Sequence, residues 1–350
     1  MFKADKLRRT GIALILLFTI IFALPGCSLQ SKDKKIPVQV LIVPKFEVGE
    51  NAGDFPGEAQ YFYEEYLDGG DVFEIDCMPE GNKLYYKDGV AMFLTGQGKV
   101  SAALGTSAVL SDERFDFSGA YILSVGCGGA AKDYGTLGDV FVISAAVDYD
   151  LGHQADPREM GDKSDMTTWF HDDSYDESAV VRLDQSLTDR VYEMVKDVPL
   201  ETTENSMNFL KKEYPGEAWA NRQPQVMRGT TMTGDNYWKG IYDHTNALLI
   251  AETYDCADPY AITEMEDVAV ALAVKTHGLL DRLIILRVGV NIDVFPSDVT
   301  PEMLWGDDTD DHIASDNSLE AIDIFGTAMK NCFDVGKVVI DAIQDGTLQG

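Results

Sequence analysis

Short runs of β-branched and apolar residues alternate with longer stretches whose apolar positions recur at helical spacing. Residues 38–43, bounded by Pro37 and Pro44, read as a buried strand. Further strands are expected at 91–95, 121–125, 140–147, 225–232, 247–251 and 282–288. Helices are expected at 99–110, 178–196, 262–277 and 318–344. Strands interleaved with helices predict an α/β fold around a parallel or mixed sheet. From 148 to about 178 the chain turns polar and acidic and is broken by Gly and Pro. That stretch is longer than an ordinary loop and reads as an insertion.

The first 26 residues have a different pattern. Lys3, Lys6, Arg8 and Arg9 precede an apolar run at 11–24, followed by Leu24-Pro25-Gly26-Cys27. A basic start and a short apolar run describe a signal peptide, because a bilayer span needs about 20 residues. The ending resembles a bacterial lipoprotein signal, and the resemblance implies lipidation of Cys27. The alternative is a plain membrane anchor with an incidental cysteine. On the lipoprotein reading, 1–26 is the leader, 27–36 a polar tether and 37–350 the folded domain. The expected location is extracytoplasmic, lipid-anchored to the bacterial cell membrane.

Composition narrows the function classes. With 45% hydrophobic and 25% charged residues in 350, the chain is neither disordered nor polytopic. A net charge of −31 repels phosphate backbones, so nucleic acid is not an expected partner. Five cysteines without a CxxC pair and five scattered histidines suggest no disulfide scaffold and no metal site. GxxxxGK[ST], GxGxxG and GxSxG are all missing, which disfavours ATP, dinucleotides and a serine hydrolase.

Three glycine-bearing segments flank strands: Thr95-Gly-Gln-Gly98-Lys99, Gly126-Cys-Gly128-Gly129 and Gly138-Asp139. Glycine there allows backbone to approach a ligand, although glycine is also common in turns. Glu264-Met265-Glu266-Asp267 places three carboxylates in one turn, either a solvated helix start or a site. Arg287 ends an apolar strand, as a rim charge or as a binding group, and Asn291 and Asp293 follow it.

The order of these pieces, TGxGKVxAA, GxGG, GDVxVS, TGDxxY, MExxAxA and RxxxN, resembles the nucleoside phosphorylase and nucleosidase superfamily. Gly152-His-Gln-Ala-Asp-Pro-Arg158-Glu159 and Asp235-Asn-Tyr237-Trp238-Lys-Gly240 make it most similar to the purine nucleoside permease branch. The resemblance implies a three-layer nucleoside phosphorylase-like fold, with a central mixed β-sheet flanked by helices. It implies that Glu266 takes the ribose hydroxyls, Met265 packs under the sugar, and Tyr237 or Trp238 stacks on the base. Asn291 falls where nucleosidases of this type carry an acidic residue, which weakens protonation of the purine and leans towards 6-oxopurines. Gly98 and Gly128 line the site in this reading, and Glu47 or Glu50 activates water. Phosphate as co-substrate stays open, with Arg158 and Arg287 as its ligands. The expected activity is N-glycosidic cleavage of a purine nucleoside, by hydrolysis or phosphorolysis, in support of uptake or salvage. The rival is a non-catalytic nucleoside-binding protein that delivers its ligand to a separate permease. A homo-oligomer is a further expectation from the superfamily.

Overall fold

The computed structural model describes residues 34–76, 83–156, 159, 169–170, 175–296 and 319–349. From Pro37 onward the chain forms one compact unit. Its strands of three residues or more are β1 (Val40–Val43), β2 (Asp71–Glu74), β3 (Lys83–Lys87), β4 (Val90–Met92), β5 (Tyr121–Ala130), β6 (Val140–Asp148), β7 (Val180–Arg182), β8 (Val226–Thr233), β9 (Tyr260–Glu264) and β10 (Leu283–Ile292). They join in one mixed sheet, ordered β7-β6-β8-β9-β5-β1-β4-β3-β2. β10 pairs in parallel with β5 and antiparallel with β6, so the middle of the sheet curls into a closed ring of five strands. Closure buries the ring strands on both faces, and β5, β6 and β10 accordingly read as nearly unbroken apolar runs, as does β1 beside the ring, which is buried throughout.

Helices cover the sheet: α1 (Lys99–Leu110), α2 (Gln185–Val195), α3 (Glu204–Glu213), α4 (Ile241–Thr253), α5 (Asp267–Thr276) and α6 (Leu319–Gln344). α1 packs on α5, whereas α6 lies against β5, β10, α2 and α3. The main core is built where α6 places Met329, Val335, Val339 and Ile340 against Leu123, Val125, Leu286 and Val288. Among the described residues no helix is long and apolar enough to cross a membrane. The expected leader, the expected tether before residue 34 and about half of the expected insertion lie outside the described residues.

Several expected elements change type or length. Residues 247–251 belong to α4 and not to a strand, an ambiguity inherent in short apolar runs. The helix expected at 262–277 is a strand through Glu264 and a helix only from Asp267. The helix expected from 178 has a short strand, β7, inside it, and α2 starts after Asp184, whose side chain accepts the Leu187 N–H. β5 runs on through the glycines expected to form a loop, and β10 continues past Arg287 to Ile292.

Candidate functional site

The turn that links β9 to α5 organises the site. Glu264 ends β9, and its Oε2 accepts the N–H groups of Glu266 and Asp267 at 2.7 and 2.8 Å. It thereby caps the otherwise orphaned start of α5, helped by Thr233 Oγ1, which accepts the Val268 N–H. The three carboxylates are therefore not a solvated helix face: all of them are buried.

Arg287, 1% exposed, is the reason they can be. Its Nε donates to Asp267 at 2.7 Å, and its Nη2 reaches Glu264, Asp267 and Glu266 at 2.9, 2.9 and 3.2 Å. Its Nη1 donates to the Cys127 carbonyl. A second buried cation, Lys45, stands 3.7 Å from Asp267 and donates to Ser124 Oγ and the carbonyls of Val43 and Val125. Burial alone would raise the Asp267 carboxyl, but the charges of Arg287 and Lys45 outweigh it and hold the group below its ordinary value. Glu264 and Glu266 are raised, mainly by burial, with Arg287 opposing. Burial, with the charge of Arg287, lowers Lys45.

A cavity opens beside this cluster. Its wall contains Lys45, Glu58, Cys127, Gly128, Gly129, Tyr237, Trp238, Thr263, Glu264, Met265, Glu266, Arg287, Val290 and Asn291. The methionine–glutamate turn and the asparagine of β10 thus face one space. Register sets the spacing: Arg287 lies opposite Gly126 and Asn291 opposite Gly129, so the two ends are about 10 Å apart along β5. A Cβ on Gly126 would stand 2.6 Å from Arg287 Nη1 and 2.7 Å from Glu58 Oε1. A Cβ on Gly129 would stand 3.0 Å from Asn291 Nδ2 and 3.1 Å from Thr263 Cγ2. One end of the cavity is therefore charged, and the other is neutral.

Gly128 tolerates nothing larger, because a Cβ there would lie 2.4 Å from the Thr263 carbonyl oxygen. Gly128→Ala is expected to push β5 from β9 and cost about 1–3 kcal/mol, seen as a lower urea midpoint. Gly98 has a different task. At φ +87 it turns the chain into α1 and donates its N–H to Glu266 Oε1 at 3.0 Å. The next N–H, of Lys99, goes to Asp235 Oδ1, and Lys99 Nζ pairs with Asp148 and Asp150. This network ties the Gly98 turn to the loop that carries Tyr237 and Trp238. Tyr237 is 58% exposed at the rim, whereas Trp238 is buried and stacked on Tyr149 at 4.9 Å.

Neither Glu47 nor Glu50 belongs to the cavity wall. Glu47 accepts the backbone N–H groups of Val48, Gly57, Ala59 and Gln60, so its carboxylate fastens a loop and the start of a helical turn. Glu50 is exposed. Besides Glu264 and Glu266, the cavity is faced by Glu58, which the sequence did not reveal. Its two oxygens accept the N–H groups of Lys45 and Cys127 at 2.7 and 2.8 Å. Asp293 cannot substitute for an acid at Asn291: it is fully buried, and His244, Tyr260 and the Lys132 N–H occupy it. Arg158 and Cys27 lie outside the described residues. Among the described residues no cluster suits a metal ion.

The closed mixed ring flanked by helices is a fold shared with nucleosidases. The structure is similar to the MTA/SAH nucleosidase of Streptococcus pneumoniae in complex with 8-aminoadenine (TM-score 0.52, 14% identity, 87% of this chain and all of that one). It is also similar to the 5′-methylthioadenosine/S-adenosylhomocysteine nucleosidase of Neisseria meningitidis in complex with methylthio-immucillin-A (TM-score 0.51, 14% identity, 87% and 99%). At sequence level the relatives are fungal. A probable purine nucleoside permease of Schizosaccharomyces pombe is 29% identical over 239 residues, 60% of this chain and 66% of that protein. The purine nucleoside permease of Candida albicans is 27% identical over 258 residues, 68% and 62%. The matches thus span somewhat under two thirds of those relatives' own length. The purine nucleoside permease (NUP) family matches residues 37–347, and the chain belongs to that family.

These relatives correct the expected location. They are fungal proteins, which conflicts with a lipid-anchored protein of a bacterial membrane. The pattern that suggested it is four residues after an apolar run, too short to specify lipidation by itself.

Proposed function

We propose that the cavity binds a purine nucleoside and that the chain cleaves its N-glycosidic bond with water as acceptor. The observation that carries this reading is the polarity of the cavity. Glu266, buried at the charged end, offers lone pairs that suit two vicinal ribose hydroxyls. Three residues along the strand pair, Asn291, Thr263 and Val290 form a neutral wall of a size and chemistry that suit a purine edge. Glu58 keeps one lone pair on each oxygen after its two backbone bonds, enough to take a proton from water. Its attack at C1′ would meet a sugar of oxocarbenium character, which the surrounding carboxylates stabilise. Water is favoured over phosphate because all three Lys45 protons already have acceptors and Arg287 is wrapped by three carboxylates. Uptake, in this reading, proceeds through a separate permease that receives the nucleoside or its products.

Incubation with inosine or guanosine, with and without phosphate, tests the reaction. Base release independent of phosphate is the expected result, and release that requires phosphate refutes hydrolysis. Glu58→Gln is expected to lower kcat about 10²–10⁴-fold and to retain nucleoside affinity within a few-fold. A second reading, binding without cleavage, is favoured by Asn291, since an amide cannot protonate a leaving base. Tight binding with no free base would select it.

A further inference from the structure

Charge and proton supply in the cavity suit a cationic base better than a neutral one. The wall and the Asp267 behind it carry four carboxylates, Glu58, Glu264, Glu266 and Asp267, against two cations, Lys45 and Arg287. At the mouth, Lys99 faces three more carboxylates, of Asp148, Asp150 and Asp235. The neutral end holds no acid: Asn291 is an amide, and Asp293 behind it is committed to His244 and Tyr260. Glu264 is surrounded by donors, with Thr231 and Thr233 on Oε1 and two N–H groups and Arg287 on Oε2. Its two oxygens are thus occupied by five donors, and it stands at the charged end, away from the base.

Resting on the nucleoside reading above, we infer that this site selects N-ribosides whose base already carries a positive charge, such as purines alkylated at N7. Such a base needs no proton to leave. The C1′–N9 bond breaks, and its electron pair neutralises the cationic ring. The water oxygen bonds to C1′, and its proton passes to Glu58 and then to solvent. Ribose, a neutral base and one proton are the products. The surplus of carboxylates attracts the cation on entry and the oxocarbenium sugar that follows. The same surplus repels nucleotides, whose phosphate would find no free ammonium or guanidinium among the described residues of the wall.

The test compares 7-methylguanosine with guanosine at pH 6, where the methylated purine is cationic, on the full chain. Affinity is read by calorimetry and turnover by release of free base. The expected result is about tenfold or tighter binding of 7-methylguanosine and a kcat/KM about 10²-fold or more above that of guanosine. That margin is the share of rate a general acid ordinarily supplies. Guanosine 5′-monophosphate is expected not to bind. Asn291→Asp, which places an acid at the neutral end, is expected to narrow the ratio by raising guanosine turnover. Equal affinity and turnover for the two nucleosides would overturn the inference and leave the nucleoside reading intact. Binding of neither would overturn both.

Discussion

Arg287→Ala is expected to destabilise the chain by about 3–5 kcal/mol, the usual cost of leaving buried carboxylates without their cation. Three carboxylates depend on this guanidinium, and all of them are buried, Asp267 completely. Lys45 cannot replace it, because its ammonium stands 3.7 Å from Asp267 and is held by Ser124 and two carbonyls. Urea unfolding measures the loss as a lower midpoint with an unchanged slope. Arg287→Lys keeps the charge but not the fork that reaches three partners, and an intermediate loss is expected. An unfolding free energy within about 0.5 kcal/mol of wild type for the alanine variant, the range of an ordinary surface substitution, would mean that the cluster is not held as described.

The pH dependence has a definite sign. Asp267 is held below its ordinary value of 3.8, so its pairing contributes stability above that pH. The contribution disappears as pH falls through the lowered value. Glu264 and Glu266 act oppositely. Burial raises them above 4.5, so ionising them costs stability as pH rises from 4.5 through their raised values. Without Arg287 the second effect dominates, and the variant is expected to gain stability on acidification from pH 7 towards 5. Wild type is expected to change less over that range, which chemical denaturation at several pH values would show.

The sequence order of strands and helices was legible because the buried strands are apolar on both faces and end at glycine or proline. α1 and β6 follow the apolar pattern almost to the residue. The pattern failed where burial was set by charge pairing. Glu264 and Glu266 flank a strand–helix junction, yet by pattern alone their carboxylates fit a solvated helix start as well as a site, and the ion pairs with Arg287 are what bury them. Lys45 and Glu58 were invisible for the same reason: their burial depends on Ser124, Cys127 and backbone groups 69 to 80 residues away in the chain. Glu47 misled because a carboxylate after the first strand has the right place but spends its oxygens on backbone amides. Ordered motifs identified which turns meet, whereas only the packed sheet decides which carboxylate remains free.

Glu266→Ala is expected to weaken nucleoside binding by about 100-fold or more. Two hydroxyls bonded to a buried carboxylate contribute roughly 1.5–3 kcal/mol each, and alanine offers no substitute acceptor. Stability should change far less than in Arg287→Ala. Arg287 keeps Glu264 and Asp267, and removing one raised carboxyl relieves repulsion from Glu58, so the main debt is the Gly98 N–H, which loses its acceptor. Glu266→Gln separates shape from charge: it keeps the acceptor oxygen and fills the same space, and its affinity is expected to fall between wild type and alanine. Calorimetry on all three forms, with urea midpoints as the control for folding, reads the series. Near wild-type affinity in the alanine variant would remove ribose from this end of the cavity. The neutral wall at Asn291 would then have no sugar partner, and the polarity that carries the nucleoside assignment would lose its meaning.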